Sequence, residues 1–228
     1  MFAYLSTFGF GEYPIDSNVV KTLYETVLPN PNFTWEVARN TNIGIDTKLF
    51  NRVNLTLEWF NNQRDRILIQ QQGSTPDSSG IASLLPPTNF GSMKNSGYEF
   101  NIAYSGGDSN YSNPNGFRYT VGLNGGYSKN EIEFIDEVSG APEWQLREGK
   151  PLGAYLLYET DGVFYDQSEI DANAVDYSQV TPQLRPGDLR LVDYDGNGKI
   201  DADDQVRQED SFTPRLQYGI TLDMSYKN

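Results

Sequence analysis

VARNTNIGIDTKLFNRVNLTLEW, residues 37–59, decides the fold. From Val37 to Phe50 the apolar residues Val37, Ile43, Ile45 and Leu49 share one parity, and Asn40, Asn42, Gly44, Asp46 and Lys48 lie between them. A period of two places successive side chains on opposite faces of a strand. Beyond Asn51-Arg52 the pattern restarts. Val53, Leu55, Leu57 and Trp59 take one face, and Asn54, Thr56 and Glu58 the other. Two alternating runs joined by a two-residue polar link read as an antiparallel hairpin.

The same alternation returns three times downstream. Tyr98, Phe100, Ile102 and Tyr104 alternate with Glu99, Asn101 and Ala103. Phe117, Tyr119, Val121, Leu123 and Tyr127 oppose Arg118, Thr120, Asn124 and Ser128. Leu216, Tyr218, Ile220, Leu222, Met224 and Tyr226 close the chain against Gln217, Gly219, Thr221, Asp223 and Ser225. The expected strands thus lie near residues 35–50, 53–69, 97–105, 117–130 and 215–227. Their links run short, long, short, long: Asn51-Arg52, a polar stretch over about 64–95, Ser105 to Gly116, and an acidic segment over 131–213. Residues 1–34 read as mixed, with Phe8-Gly-Phe-Gly, an apolar patch around Val19 to Leu28 and the turn Pro29-Asn-Pro-Asn.

Alternation alone fits two architectures. In a soluble sandwich the apolar faces meet a second sheet. In an outer-membrane barrel they face lipid, the polar faces line a wet lumen, aromatic residues mark both ends, and link lengths differ between the two sides. The link rhythm and the terminal aromatics (Trp59-Phe60, Tyr98, Tyr104, Phe117, Tyr127, Tyr218, Tyr226) favour the barrel.

Composition removes several chemistries. The chain has 228 residues with neither Cys nor His. Disulfides, thiolate metal sites, histidine bases and the usual nucleophile pairs are therefore absent. Residues 131–213 hold 20 of the 31 acidic and 6 of the 17 basic residues, so the net charge of −14 resides there and the remainder is neutral. No basic patch with interleaved aromatics suggests nucleic acid. No basic leader precedes an apolar stretch at Met1, and no uncharged apolar run approaches the ~20 residues of a membrane helix.

Within the acidic segment, DYDGNGKIDADD (Asp193 to Asp204) has calcium-loop spacing. Asp193, Asp195, Asn197, Asp201 and Asp204 stand at positions 1, 3, 5, 9 and 12, Gly198 at the turn position 6, and Lys199 offers its backbone carbonyl at position 7. Asp204 replaces the usual Glu, and Leu189 to Val192 reads as a strand stub rather than a flanking helix. The expectation is weak Ca²⁺ binding, in the range of roughly 10⁻⁴ to 10⁻³ M. A solvated acidic turn of the same shape is the alternative, since Asp-Gly and Asn-Gly form turns readily. Asp161 and Asp166 form a carboxylate pair of the kind glycoside hydrolysis uses, but surface charge explains them equally. Trp144, Tyr155, Tyr158 and Tyr165 could stack on sugars or pack the segment on itself. No catalytic residue and no organic cofactor emerge.

Several short motifs, taken in order, resemble the SusC/RagA family of TonB-linked outer-membrane proteins. They are Trp35-Glu36 with Thr41-Asn-Ile-Gly-Ile-Asp46, Asn89-Phe-Gly-Ser-Met-Lys-Asn-Ser-Gly-Tyr-Glu99, Gly149-Lys-Pro-Leu-Gly153, Asp161-Gly-Val-Phe-Tyr165, Pro186-Gly-Asp188 leading into Asp193 to Asp204, and Tyr218-Gly219. The resemblance implies an all-β fold: about five antiparallel strands of a 22-stranded transmembrane barrel, the plug domain and TonB box lying outside this stretch. It implies a non-enzymatic transport component in the outer membrane of a Gram-negative bacterium. Such proteins import oligosaccharides or peptides, couple to the TonB complex and pair with a SusD-like surface lipoprotein. The links at 51–52 and 105–116 would then be periplasmic, and those at 64–95 and 131–213 extracellular. The competing expectation is a secreted calcium-dependent binding module, because Asp193 to Asp204 also resembles one half of a dockerin.

Overall fold

A computed structural model describes residues 4–16, 18–71, 73–75, 77–108 and 116–226. Six strands come first: β1 (Thr7–Ile15), β2 (Asn18–Val27), β3 (Val37–Leu49), β4 (Val53–Ile69), β5 (Thr88–Gly107) and β6 (Phe117–Phe134). Four short strands follow, β7 (Ala154–Tyr158), β8 (Thr160–Val163), β9 (Leu189–Leu191) and β10 (Gln205–Ser211), with the helix α1 (Gln167–Ala172) between β8 and β9. The last strand is β11 (Leu216–Tyr226). β11, β6, β5, β4 and β3 form one antiparallel sheet in that order. The chain is all-β, and the sheet is open: β11 and β3 are its edges.

Register converts the alternation into rungs. Ile220, Leu123, Ile102 and Leu55 stand side by side, as do Leu222, Val121, Tyr104, Val53 and Leu49. Tyr218, Phe100, Leu57 and Ile45 share the next rung with Gly125, and Leu216, Tyr127, Tyr98, Trp59 and Ile43 the one beyond. Leu55, Val121 and Ile220 thus lie on one face of one sheet, not across a core from one another. Among the described residues no second layer covers that face: Ile43 is 63 % and Ile220 72 % exposed. A sandwich would bury it, which removes the soluble two-sheet alternative.

The apolar face has the height of a bilayer core. It runs along β6 from Phe117 to Tyr127, ten steps or ~33 Å of strand, which at the usual tilt projects to about 25 Å. Aromatic rings close both ends. Tyr98 and Tyr127 stack with centroids 5.6 Å apart at one end; Phe117 and Tyr119, 5.9 Å apart, mark the other.

The opposite face is polar and concave. Thr56, Glu58, Glu99, Asn101, Asn124 and Gln217 line one continuous trough. Gly97 permits a close approach there, since a Cβ on it would collide with the Tyr127 carbonyl oxygen and the Phe60 ring. At the β3–β4 end, Phe50 and Asn51 both adopt left-handed backbone (φ 53° and 57°). Two consecutive positive φ values make the tight hairpin turn whose twist matches the strands.

Two features differ from the sequence reading. The polar stretch expected over about 64–95 is shorter: β4 ends at Ile69, the limit expected for that strand, but β5 begins at Thr88 rather than near 97, so the link covers only 70–87 and residues 88–96 are strand. Both faces of this part lie beyond the apolar band and meet water, so the alternation disappears while the ladder continues. Residues 7–27, read as mixed, form the β1–β2 hairpin. Its glycines at 9 and 11 and its charged pair Glu12 and Lys21, opposite each other in register, interrupt the apolar pattern.

Candidate functional site

The segment between β6 and β11 folds into a unit with its own small core. Phe164, Tyr177 and Ile200 are buried, and Tyr158, Ile170, Val175, Leu184 and Leu191 pack on them. β7 pairs with β10 and β8 with β9. The Tyr177 hydroxyl donates to the Leu191 carbonyl (3.2 Å) and accepts from the Leu191 N–H (2.9 Å). Burial pushes the Tyr177 pKa upward, because the phenolate would lose its hydration.

The Asp193–Asp204 loop hangs on this core. Ile200, at position 8 of the loop, has no exposed surface. Its N–H donates to the Asp176 carbonyl (2.8 Å), and the Asp176 N–H donates to the Gly198 carbonyl (3.0 Å). Lys199 sits between these two rungs, and its N–H donates to Asn197 Oδ1 (2.8 Å). The far side is held by Trp144, whose Nε1–H donates to the Asp203 carbonyl (2.7 Å) and whose ring lies 5.0 Å from that of Tyr194.

Three of the six expected ligand positions converge. One carboxylate oxygen from each of Asp193, Asp195 and Asp204 lies within 4.8 Å of the others. Asp204 is fully buried. It accepts from the N–H groups of Tyr194 (2.7 Å) and Asp201 (2.8 Å). Asp193 accepts from Gly198 N–H (2.8 Å) and Asp195 from Asn197 N–H (2.9 Å). No Lys or Arg among the described residues forms an ion pair with these three. The two remaining side chains are spent on the backbone: Asn197 Oδ1 on Lys199, and Asp201 Oδ1 on the Asp203 N–H (2.9 Å). Three hard anionic oxygens without a counter-cation suit Ca²⁺ by donor chemistry.

The other singled-out residues have structural roles. Asp161 pairs with Arg190 (Nε to Oδ1, 2.6 Å). Asp166 caps α1, accepting from Glu169 N–H (3.0 Å) and Ser168 Oγ–H (2.5 Å), and these bonds hold its carboxyl below the usual range. Tyr158 packs on the core and Trp144 on the loop, whereas Tyr155 and Tyr165 are exposed.

Sequence reasoning missed two arrangements. Asp136 Oδ2 accepts from Gly73 N–H (2.9 Å), Ser74 N–H (3.2 Å) and Ser74 Oγ–H (3.0 Å), tying the 70–87 link to the base of the acidic segment. Glu58 and Glu99 stand directly opposite each other on the polar wall. Both depend on strand register, which no local signal in the sequence fixes.

Comparison with known proteins agrees with this architecture. Two TonB-dependent receptors of Formosa agariphila, P3 and P26, are 29 % and 30 % identical over 216 and 210 residues, 89 % and 87 % of this chain. The chain spans about a fifth (20 %) of the length of each. The solved RagAB peptide transporter superposes on 99 % of the chain with a TM-score of 0.64 at 20 % identity, using 23 % of its own length. The open-open state of the RagAB peptide importer gives 0.65 at 18 % identity, over 99 % of this chain and 22 % of that one. At such identities the likeness speaks for the fold. The family described as TonB dependent receptor-like, beta-barrel matches residues 5–224, and the chain belongs to it.

Proposed function

We propose that this chain forms consecutive staves and an extracellular loop of an energy-coupled importer in the outer membrane of a Gram-negative bacterium. The observation that carries the reading is the two-sided sheet, apolar and ring-bounded on one face, polar and concave on the other. An open edge in lipid leaves several kcal/mol per unpaired backbone group, so these staves act within a closed barrel. The cargo is an oligosaccharide or a peptide; the solved neighbours are peptide transporters. A SusD-like surface lipoprotein covers the extracellular side, and coupling to TonB runs through regions outside this chain.

In this reading the 154–211 unit contacts the lipoprotein or the cargo, and Ca²⁺ held by Asp193, Asp195 and Asp204 stiffens its base. Bound Ca²⁺ would offset the mutual repulsion of the three carboxylates. Co-purification of the whole receptor with its lipoprotein tests the assignment. Deleting residues 154–211 is expected to abolish co-purification while the barrel keeps its heat-modifiable migration; full retention of the partner would overturn it. For the ion, calorimetric titration at millimolar Ca²⁺ should give heat that the Asp193→Asn, Asp195→Asn double variant lacks.

A further inference from the structure

At one level of its polar face the five-stranded sheet gathers two carboxylates, a phenyl ring and side-chain amides around a single cavity. Glu58, Glu99, Phe60, Asn101, Asn124 and Gln217 line about 660 Å³ there. Glu58 and Glu99 face each other across β4 and β5, with Gly44 and Gly126 on either side. Phe60 follows Glu58 by two residues on the same face, and its ring lies over Gly97 rather than against a side chain.

No Lys or Arg among the described residues forms an ion pair with either carboxylate. Arg215, at the rim of the cavity, is 3.7 Å from Glu209, which also holds Lys150 at 2.7 Å. Opposed side chains of a strand pair stand about 5 Å apart at Cβ, so one cation can reach both. Two like charges in this register repel; a cation between them replaces the repulsion with two charge-assisted hydrogen bonds. The neighbouring ring offers apolar surface to the methylenes of a long side chain, and its face attracts a cation.

Depth decides what arrives. The Glu58–Glu99 rung lies one residue from the Trp59, Tyr98 and Tyr127 ring row, at the end of the apolar face where the long links emerge. On the membrane reading above, that level is the outer mouth of the lumen, which cargo meets first.

We propose that this cavity is a subsite for a cationic side chain of a peptide cargo. Glu58 and Glu99 clasp its ammonium or guanidinium group, and Phe60 covers its stem. The inference rests on the importer reading and narrows its cargo to peptides bearing Lys or Arg. A neutral sugar would leave both carboxylates unmatched.

The test is calorimetric titration of the whole receptor in detergent at low salt, with trilysine and its side-chain-acetylated form as probes. The two share a backbone and differ in charge. Trilysine should bind, and the acetylated form should bind about tenfold more weakly. Glu58→Gln with Glu99→Gln should weaken trilysine by about the same factor, tenfold. Asp46→Asn removes a charge from the same face outside the cavity, at the rung of Thr56, and should change little. Misfolding does not confuse the readout, because loss of like-charge repulsion stabilises the strand pair. Equal binding of the two probes, no binding of trilysine, an unaffected double variant, or an equal loss in Asp46→Asn would overturn the proposal. So would destabilisation of the whole receptor by Glu99→Gln, which would mean that a cation of the receptor itself already holds the pair. Failure of the importer reading has a separate signature, the absence of heat-modifiable migration in the unaltered protein.

Discussion

Glu58 on β4 and Glu99 on β5 are register partners on the polar face of the sheet, two carboxylates directly across a strand pair. Their rung continues to Gly44 and Gly126, so no side chain flanks them on either side. Like charges in this position destabilise a strand pair by roughly 0.2–1 kcal/mol. Glu99→Gln should raise the midpoint of urea unfolding by about 0.5 kcal/mol-equivalent at low salt. Glu58→Gln should do the same, and the double variant should add little, because either single change removes the shared repulsion. In 1 M salt, where the screening length falls to about 3 Å, the gain should shrink. Additive effects of the two substitutions would show that the carboxylates do not interact.

Position along the apolar face predicts the cost of a charge. Leu123 lies midway between the rows of Phe117 and Tyr127. Leu123→Arg should cost ~2–4 kcal/mol in folding into phospholipid vesicles, and Tyr127→Arg only about 0–1 kcal/mol, because a terminal Arg reaches the headgroups. Equal costs at the two positions would mean that this face does not span hydrocarbon.

The strands were legible in the sequence where one side is apolar and the other wet. Val53 to Trp59 and Phe117 to Leu123 alternate without a break. Legibility ended where water reaches both faces. Met93, Lys94 and Asn95 read as the end of a link, yet they pair with Arg64, Gln63 and Asn62 in an unbroken ladder. Backbone hydrogen bonding to two neighbours holds such a strand without an apolar face. At the acidic loop, spacing brought out the convergence of Asp193, Asp195 and Asp204. It could not reveal that Asn197 and Asp201 cap backbone N–H groups, because short polar side chains bond locally when the turn allows it. The opposition of Glu58 and Glu99 needs the register set by the Phe50-Asn51 turn and its successors.

The unit between β6 and β11 rests on a very small core. Phe164, Tyr177 and Ile200 are its buried centre, and Ile200 also anchors the acidic loop through Asp176. Ile200→Ala should cost ~2–5 kcal/mol, the range for deleting a buried aliphatic side chain. A unit this small should then open as a whole. Hydrogen exchange should show lost protection across residues 154–211, with β3, β4 and β5 unchanged. Unchanged protection at β7 and β10 would separate Ile200 from that cooperative unit.

Acid should act on the same unit through its carboxylates. Hydrogen bonds from Ser168 and Glu169 lower the Asp166 pKa, and the hydrogen bond from Lys150 lowers that of Glu209. A group whose folded pKa is depressed stabilises the fold above its unfolded value and loses that contribution as pH falls through the folded value. The window therefore opens at the ordinary carboxylate range, roughly pH 4, and extends downward. Tyr177 works at the other limit. Its raised pKa favours the fold below the ordinary tyrosine value of about 10, and the contribution fades as pH climbs through the raised one. Asp166→Asn keeps a good helix cap that cannot titrate. Exchange at α1 should therefore speed up below about pH 4 in the unaltered protein and lose that acid dependence in the variant, while its alkaline behaviour stays the same. Identical acid profiles for the two would assign the acid sensitivity to another group.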